Sequence, residues 1–192
     1  VTFLHRAAQL TALSAAVLLV GCASPARTDQ MQVSSSLQVR TAASQSDLKE
    51  NIGIKDVTGG KDTNPMWVSN VSSADFERAL EASLKDAGLL SGNRQGSKYT
   101  LTADMKKLDQ PLFGASMTVT ATVKYTLVER ATGKAVFERD VAVPFTAEWN
   151  AAFLGTERLK LANEGAIRSN ITQLINDLVA LKVASAGVQL AK

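Results

Sequence analysis

Cys22 and His5 are the only cysteine and the only histidine in the 192-residue chain, and both stand near its N-terminal end. A single thiol permits no internal disulfide, and past residue 22 the chain holds no imidazole. Structural zinc, a cysteine nucleophile in the folded part, a Ser-His-Asp triad and histidine-ligated iron all need side chains that this region lacks. Carboxylates, lysines and hydroxyls are left for chemistry. Glu138, Asp140 and Glu148 occupy even positions opposite an apolar odd face. Paired carboxylates act as acid and base when their surroundings split their pKa values, and a solvated strand surface does not supply such surroundings. The expectation is therefore no catalytic residue, no cofactor and no metal site.

The other chemistry open to Cys22 is acylation. His5 and Arg6 precede a fourteen-residue, largely apolar run from Ala7 to Val20, the charge order and length of a secretory signal peptide. A membrane-spanning helix needs roughly twenty such residues, so residues 1–21 read as an export segment. The run ends in Leu19-Val20-Gly21-Cys22, which resembles the bacterial lipobox. That resemblance implies cleavage between Gly21 and Cys22 and the attachment of three acyl chains at Cys22. At about 0.8 kcal/mol per buried methylene, more than one chain gives lasting membrane residence. Residue 23 is Ala; in the lipoproteins that this leader resembles, Asp at that place retains the protein at the inner membrane. The implied address is the periplasmic face of the outer membrane.

Composition bounds the size of the core that the chain can build beyond the leader. Hydrophobic residues make up 45% of the chain and charged residues 20%, enough for one packed core. Aromatic residues at 5% leave aliphatic side chains to fill it. The formal charge of +3 is spread along the chain, and Arg6 departs with the leader. Such a weak and dispersed charge does not make a phosphate-tracking surface, so nucleic acid is not an expected partner.

Residues 22–46 are rich in Ser, Thr, Gln and Ala and read as a flexible tether carrying the lipidated cysteine. A single domain is expected over 47–182, with a disordered tail over 183–192. Ile52, Ile54 and Val57 suggest a first strand. The helix from Ser72 to Ala87 has legible ends: Ser72 and Asp75 in a capping box, Val71 and Phe76 at staple spacing, and Gly88 as the stop. Phe76, Ala79, Leu80, Leu84 and Ala87 share one face. Tyr99 to Met105 and Met117 to Leu127 alternate apolar with polar residues, and Phe137, Val141, Val143, Phe145 and Trp149 continue that pattern after a turn at 130–134. Pro144 suggests an edge or a bulge. A long helix over Thr156–Lys182 carries apolar residues at intervals of three and four. These elements predict an α+β fold, a two-layer sandwich in which two helices pack on one face of an antiparallel sheet of about four strands.

Two loops carry apolar residues beside glycine: Leu112-Phe113-Gly114, and Phe153-Leu154-Gly155. Either they form an exposed contact patch for a partner or lipid, or they tuck beneath the helices and close the core. The same two readings hold for Trp67. Asn163, Glu164 and Asn170 lie on the long helix, as a hydrogen-bonded ladder against the sheet or as solvated surface. Thr118, Thr120, Thr122 and Thr126 form a stripe on the outer face of the longest strand, read first as β-propensity on a wet surface and otherwise as a strand surface that docks against a protein partner.

The stretches Ala74 to Leu90 and Asp109 to Glu164 resemble the outer-membrane lipoprotein family typified by the YajG protein. Met117-Thr118-Val119-Thr120-Ala121-Thr122-Val123 and Leu161-Ala162-Asn163-Glu164-Gly165-Ala166-Ile167 are the most distinctive parts. The order of elements is also similar to the lipoprotein plug of the lipopolysaccharide-transport barrel and to auxiliary lipoproteins of lipid-exporting transporters. The expected function is that of a non-enzymatic accessory lipoprotein of the Gram-negative envelope, binding a protein partner or lipid at the periplasmic face of the outer membrane. The alternative is an envelope enzyme, a carboxylate-based hydrolase or an acyltransferase.

Overall fold

A computed structural model describes residues 23–65 and 68–181. The expected signal peptide, the cleavage site Gly21–Cys22, Trp67 and the 183–192 tail lie outside the described residues. Eight elements run in the order α1 (Thr28–Met31), α2 (Leu37–Ser44), β1 (Ile52–Thr58), α3 (Ser73–Asp86), β2 (Tyr99–Asp109), β3 (Met117–Glu129), β4 (Ala135–Ala147) and α4 (Gly155–Ala180).

The four strands form one sheet in the order β1-β2-β3-β4, and the α+β architecture is as the periodicity predicts. Met117, Val119, Ala121, Val123, Tyr125 and Leu127 are all buried, on the side that α4 covers. The threonines between them are exposed or half-buried, and Thr118 bonds across the strand pair to Thr146 at 2.9 Å. The sheet is mixed rather than wholly antiparallel, because β1 runs parallel to β2. The connection between them contains α3, long enough to carry the chain back along the sheet before the next strand begins. A register irregularity between Ile54 and Asp56 explains why Ile52, Ile54 and Val57 break strict alternation yet are all buried.

Helix α3 ends where its sequence says it should. The Ser72 side chain accepts from the Asp75 backbone N–H, Val71 and Phe76 are both buried, and Gly88 stops the helix at φ 77°, a conformation that side-chain-bearing residues avoid. Phe76, Ala79, Leu80 and Leu84 form its buried face.

The segment expected as a flexible tether is folded against the domain. Ala26, Met31 and Ala43 are buried in the common core. The Val33 N–H donates to Ser83 Oγ at 2.9 Å, and the Ser35 N–H to Asp86. Arg27 clasps Glu164 of α4. Two turns of helix too short to show periodicity, and polar residues whose partners lie over forty positions away, explain why composition alone reads as a tether.

Strand directions decide what gathers at each end of the sheet. β1, β2 and β4 all finish at one end, where β3 and α4 begin. The 59–72, 110–116 and 148–154 connections therefore converge there. The 88–98 and 130–134 connections lie at the other end. Among the described residues, no helix is long and apolar enough to cross a membrane.

Candidate functional site

The end where three connections converge also holds the first described residue. The Ala23 N–H donates to the Pro65 carbonyl at 2.8 Å, Ser24 Oγ accepts from Lys160 Nζ at 3.2 Å, and the Ala26 N–H reaches the Asn70 carbonyl at 3.3 Å. Ala23 is itself buried. The described part of the chain thus begins at this end.

Four large apolar side chains project into solvent from the same end. Leu112 is 91% exposed, Phe113 86%, Trp149 68% and Phe153 98%. The alternative in which the two glycine-flanked loops close the core is overturned at Leu112, Phe113 and Phe153, while Leu154 is half-buried. Trp149 is a residue the sequence misplaces. Its position continues the odd-numbered alternation Val141, Val143, Phe145, Ala147, but β4 ends at Ala147 and a turn comes next, with the Ala151 N–H on the Glu148 carbonyl at 2.9 Å. Period-two spacing carries no mark of where the strand partner stops. Leu37, also exposed, belongs to α2 and lies apart from this group, in the stretch that Arg40 ties to Asp86.

The loops that carry these side chains have firm bases. Met117 and Ala147 are paired where β3 begins and β4 ends, and Ser116 Oγ donates to Glu148 at 3.0 Å across the two loops. The Arg158 guanidinium donates to the carbonyls of Ala152 and Phe153 at 2.7 and 3.0 Å, holding the second loop against the first turn of α4. Gln110 donates from Nε2 to the Ser69 carbonyl and to Asn163 Oδ1, both at 2.8 Å, and Asn163 Nδ2 bonds the same carbonyl at 2.9 Å. The half-buried Gln110 amide and the buried Asn163 amide thereby knot the 59–72 connection, the start of the 110–116 loop and α4.

Asn163, Glu164 and Asn170 are all buried, so the solvated-surface reading of α4 is replaced by the ladder. Asn170 donates to the Ala121 and Val141 carbonyls and accepts from the Tyr125 hydroxyl, each at 2.8 Å. Burial pushes the Tyr125 phenol well above its ordinary value. Asn170 is held by three partners within the fold, Glu164 by Arg27 and Asn163 by Gln110 and the Ser69 carbonyl.

Glu138, Asp140 and Glu148 do not come together in a buried pair. Glu138 pairs with Lys124 at 2.7 Å on the exposed face, and Asp140 is exposed. A cleft of about 290 Å3 beside Phe145 includes Glu148 and Glu164, but both Glu164 oxygens are taken by Arg27. Among the described residues no group of His, Cys, Asp and Glu side chains is placed to hold a metal ion.

The fold has solved counterparts. A Xanthomonas campestris protein of the DUF330 family superposes with a TM-score of 0.50 at 14% identity, over 68% of this chain and 81% of that one. A Caulobacter crescentus protein provisionally described as a lipoprotein gives 0.47 at 13% identity, over 74% of this chain and 94% of that one. The minor lipoprotein of Acinetobacter baumannii gives 0.44 at 14% identity, over 69% and 92%. At these identities the likeness is one of fold alone. No family model matches the sequence, and no curated protein matches it.

Leu112, Phe113, Trp149 and Phe153 stand exposed on two loops at the end of the sheet where Ala23 is hydrogen-bonded. The arrangement offers an exposed apolar surface.

Proposed function

We propose that this chain is an accessory lipoprotein of the Gram-negative envelope, acylated at Cys22 and held at the periplasmic face of the outer membrane, whose folded domain acts by binding rather than by catalysis. The observation that carries this reading is the placement of Ala23. The residue next to the lipobox cysteine is buried and hydrogen-bonded at the end of the domain that exposes Leu112, Phe113 and Phe153. An anchor at Cys22 would hold those side chains close to the membrane, where a partner or lipid is met. The resemblance of the 74–90 and 109–164 stretches to the YajG-type lipoproteins agrees with that role, and the absence of Asp at residue 23 favours the outer membrane.

Mass analysis of the exported protein tests it directly. The expected product starts at Cys22 and carries acyl chains, and Cys22→Ser moves the protein from the membrane fraction to the soluble one. A product with a free Cys22 thiol or an intact leader overturns the reading.

A further inference from the structure

We infer that the exposed apolar end of the domain docks on the bilayer itself, with Leu112, Phe113, Trp149 and Phe153 entering the boundary between headgroups and acyl chains. This rests on the reading of Cys22 as the acylated residue. Cys22 is bonded to Ala23, so its Cα lies about 3.8 Å from the Cα of Ala23. Ala23 is fixed by hydrogen bonds to the same end. There is no length of free chain between anchor and domain, since the 23–46 segment is packed rather than extended. Acyl chains entering the bilayer at Cys22 therefore hold this end of the domain against the surface.

The chemistry of the end suits lipid better than a protein partner. Its apolar side chains stand on two loops and project into water, Trp149 for about two thirds of its surface and the others for most of it, as separate tips rather than as the walls of a groove into which an anchor side chain would fit. Tryptophan beside phenylalanine and leucine is the composition that settles at a membrane interface. Two of the flanking cations are matched by carboxylates, Lys107 by Asp109 and Lys160 by Glu157 at 2.7 Å, while Arg158 is bonded to backbone carbonyls. Insertion of apolar side chains is the driving term of the docking, which its retention in high salt tests. The Arg158 clamp and the Gln110–Asn163 knot keep the tips in place before contact, which limits the ordering cost of docking.

Once Cys22 is acylated, a cysteine introduced elsewhere is the sole free thiol. Phe113→Cys, Phe153→Cys and, at the far end of the sheet, Lys134→Cys are each prepared in the full acylated protein and labelled with a polarity-sensitive fluorophore. All three positions are solvent-facing, so the substitutions do not burden folding. The proteins are reconstituted in vesicles of phosphatidylethanolamine and phosphatidylglycerol, with and without brominated acyl chains. The expected result is a blue shift and bromine quenching at 113 and 153, retained in high salt, with neither at 134. Labels at 113 and 153 that match 134 on vesicle-bound protein overturn the docking while the anchoring stands. A shift seen in native envelopes but not on pure lipid also overturns it, and assigns the end to a protein. Protein that carries a free Cys22 thiol and stays off the vesicles removes the anchoring reading, and docking falls with it.

Discussion

Arg27 and Glu164, 137 positions apart, tie the N-terminal segment to the long helix through three hydrogen bonds. Glu164 is buried on α4, and Arg27 meets its two oxygens from Nε and a terminal guanidinium nitrogen at 3.0 and 3.1 Å, while its own backbone N–H adds a third bond at 2.9 Å. The Glu164 carboxylate in turn holds the guanidinium pKa above its ordinary value.

Removing one partner strands the other. Arg27→Ala leaves a buried carboxylate with only the backbone N–H, and a buried charged acceptor without its partner costs about 1–3 kcal/mol or more. Arg27 is 47% exposed, so water replaces part of what is lost and the lower half of that range is expected. Denaturant unfolding measures the loss, and hydrogen exchange at Ala26 should rise with it. Replacing both residues by apolar ones should recover much of the stability.

Tyr125 gives the fold a dependence on alkaline pH. Its phenol is pushed up by burial, so the native state keeps a proton that the unfolded chain releases above the ordinary value of 10.0. A folded pKa above the unfolded one means stability is full below about pH 10 and falls as pH rises beyond it. Lys98 and Lys124, also shifted upward, push in the same direction. The part due to Tyr125 is therefore the difference between wild type and Tyr125→Phe. The variant should lose about 1 kcal/mol at neutral pH, for the missing bond to Asn170, and should show a shallower alkaline decline.

Gly165 allows α4 to approach β4 closely. A methyl group there would stand 2.1 Å from the Phe145 ring, which is already covered on one side by the Arg168 guanidinium at 5.7 Å. Gly165→Ala should cost about 1–3 kcal/mol by overpacking. Adding Phe145→Leu should recover part of that, and a double-mutant cycle in thermal unfolding gives the coupling.

Exposed and buried phenylalanines should part company. Phe153→Ser should change folding stability by less than about 0.5 kcal/mol, since nothing packs on the ring. Phe76→Ala, in the core, should cost about 3–5 kcal/mol. Equal losses in denaturant unfolding would mean that the Phe153 loop is part of the core.

Local order was legible from residue types and spacing. Helix α3 carries its cap, staple and stop within eighteen residues, and the odd-numbered face of β3 is buried along its length. The apolar stripe of α4 and its cover over the sheet come from period alone. Such features repeat over two to four residues, so neighbours along the chain suffice to specify them. Pairings between distant segments left no local trace. The parallel partner of β1, the packing of residues 23–46, the burial of Asn163, Glu164 and Asn170, and the exposure of Trp149 each depend on what lies opposite in space. A polar side chain on an apolar helix face reads as solvated until its partner arrives from another element, and a strand pattern does not show where the neighbouring strand ends. The convergence of Ala23 with the Leu112, Phe113 and Phe153 loops belongs to this second kind, because only the strand directions of the assembled sheet bring the two together.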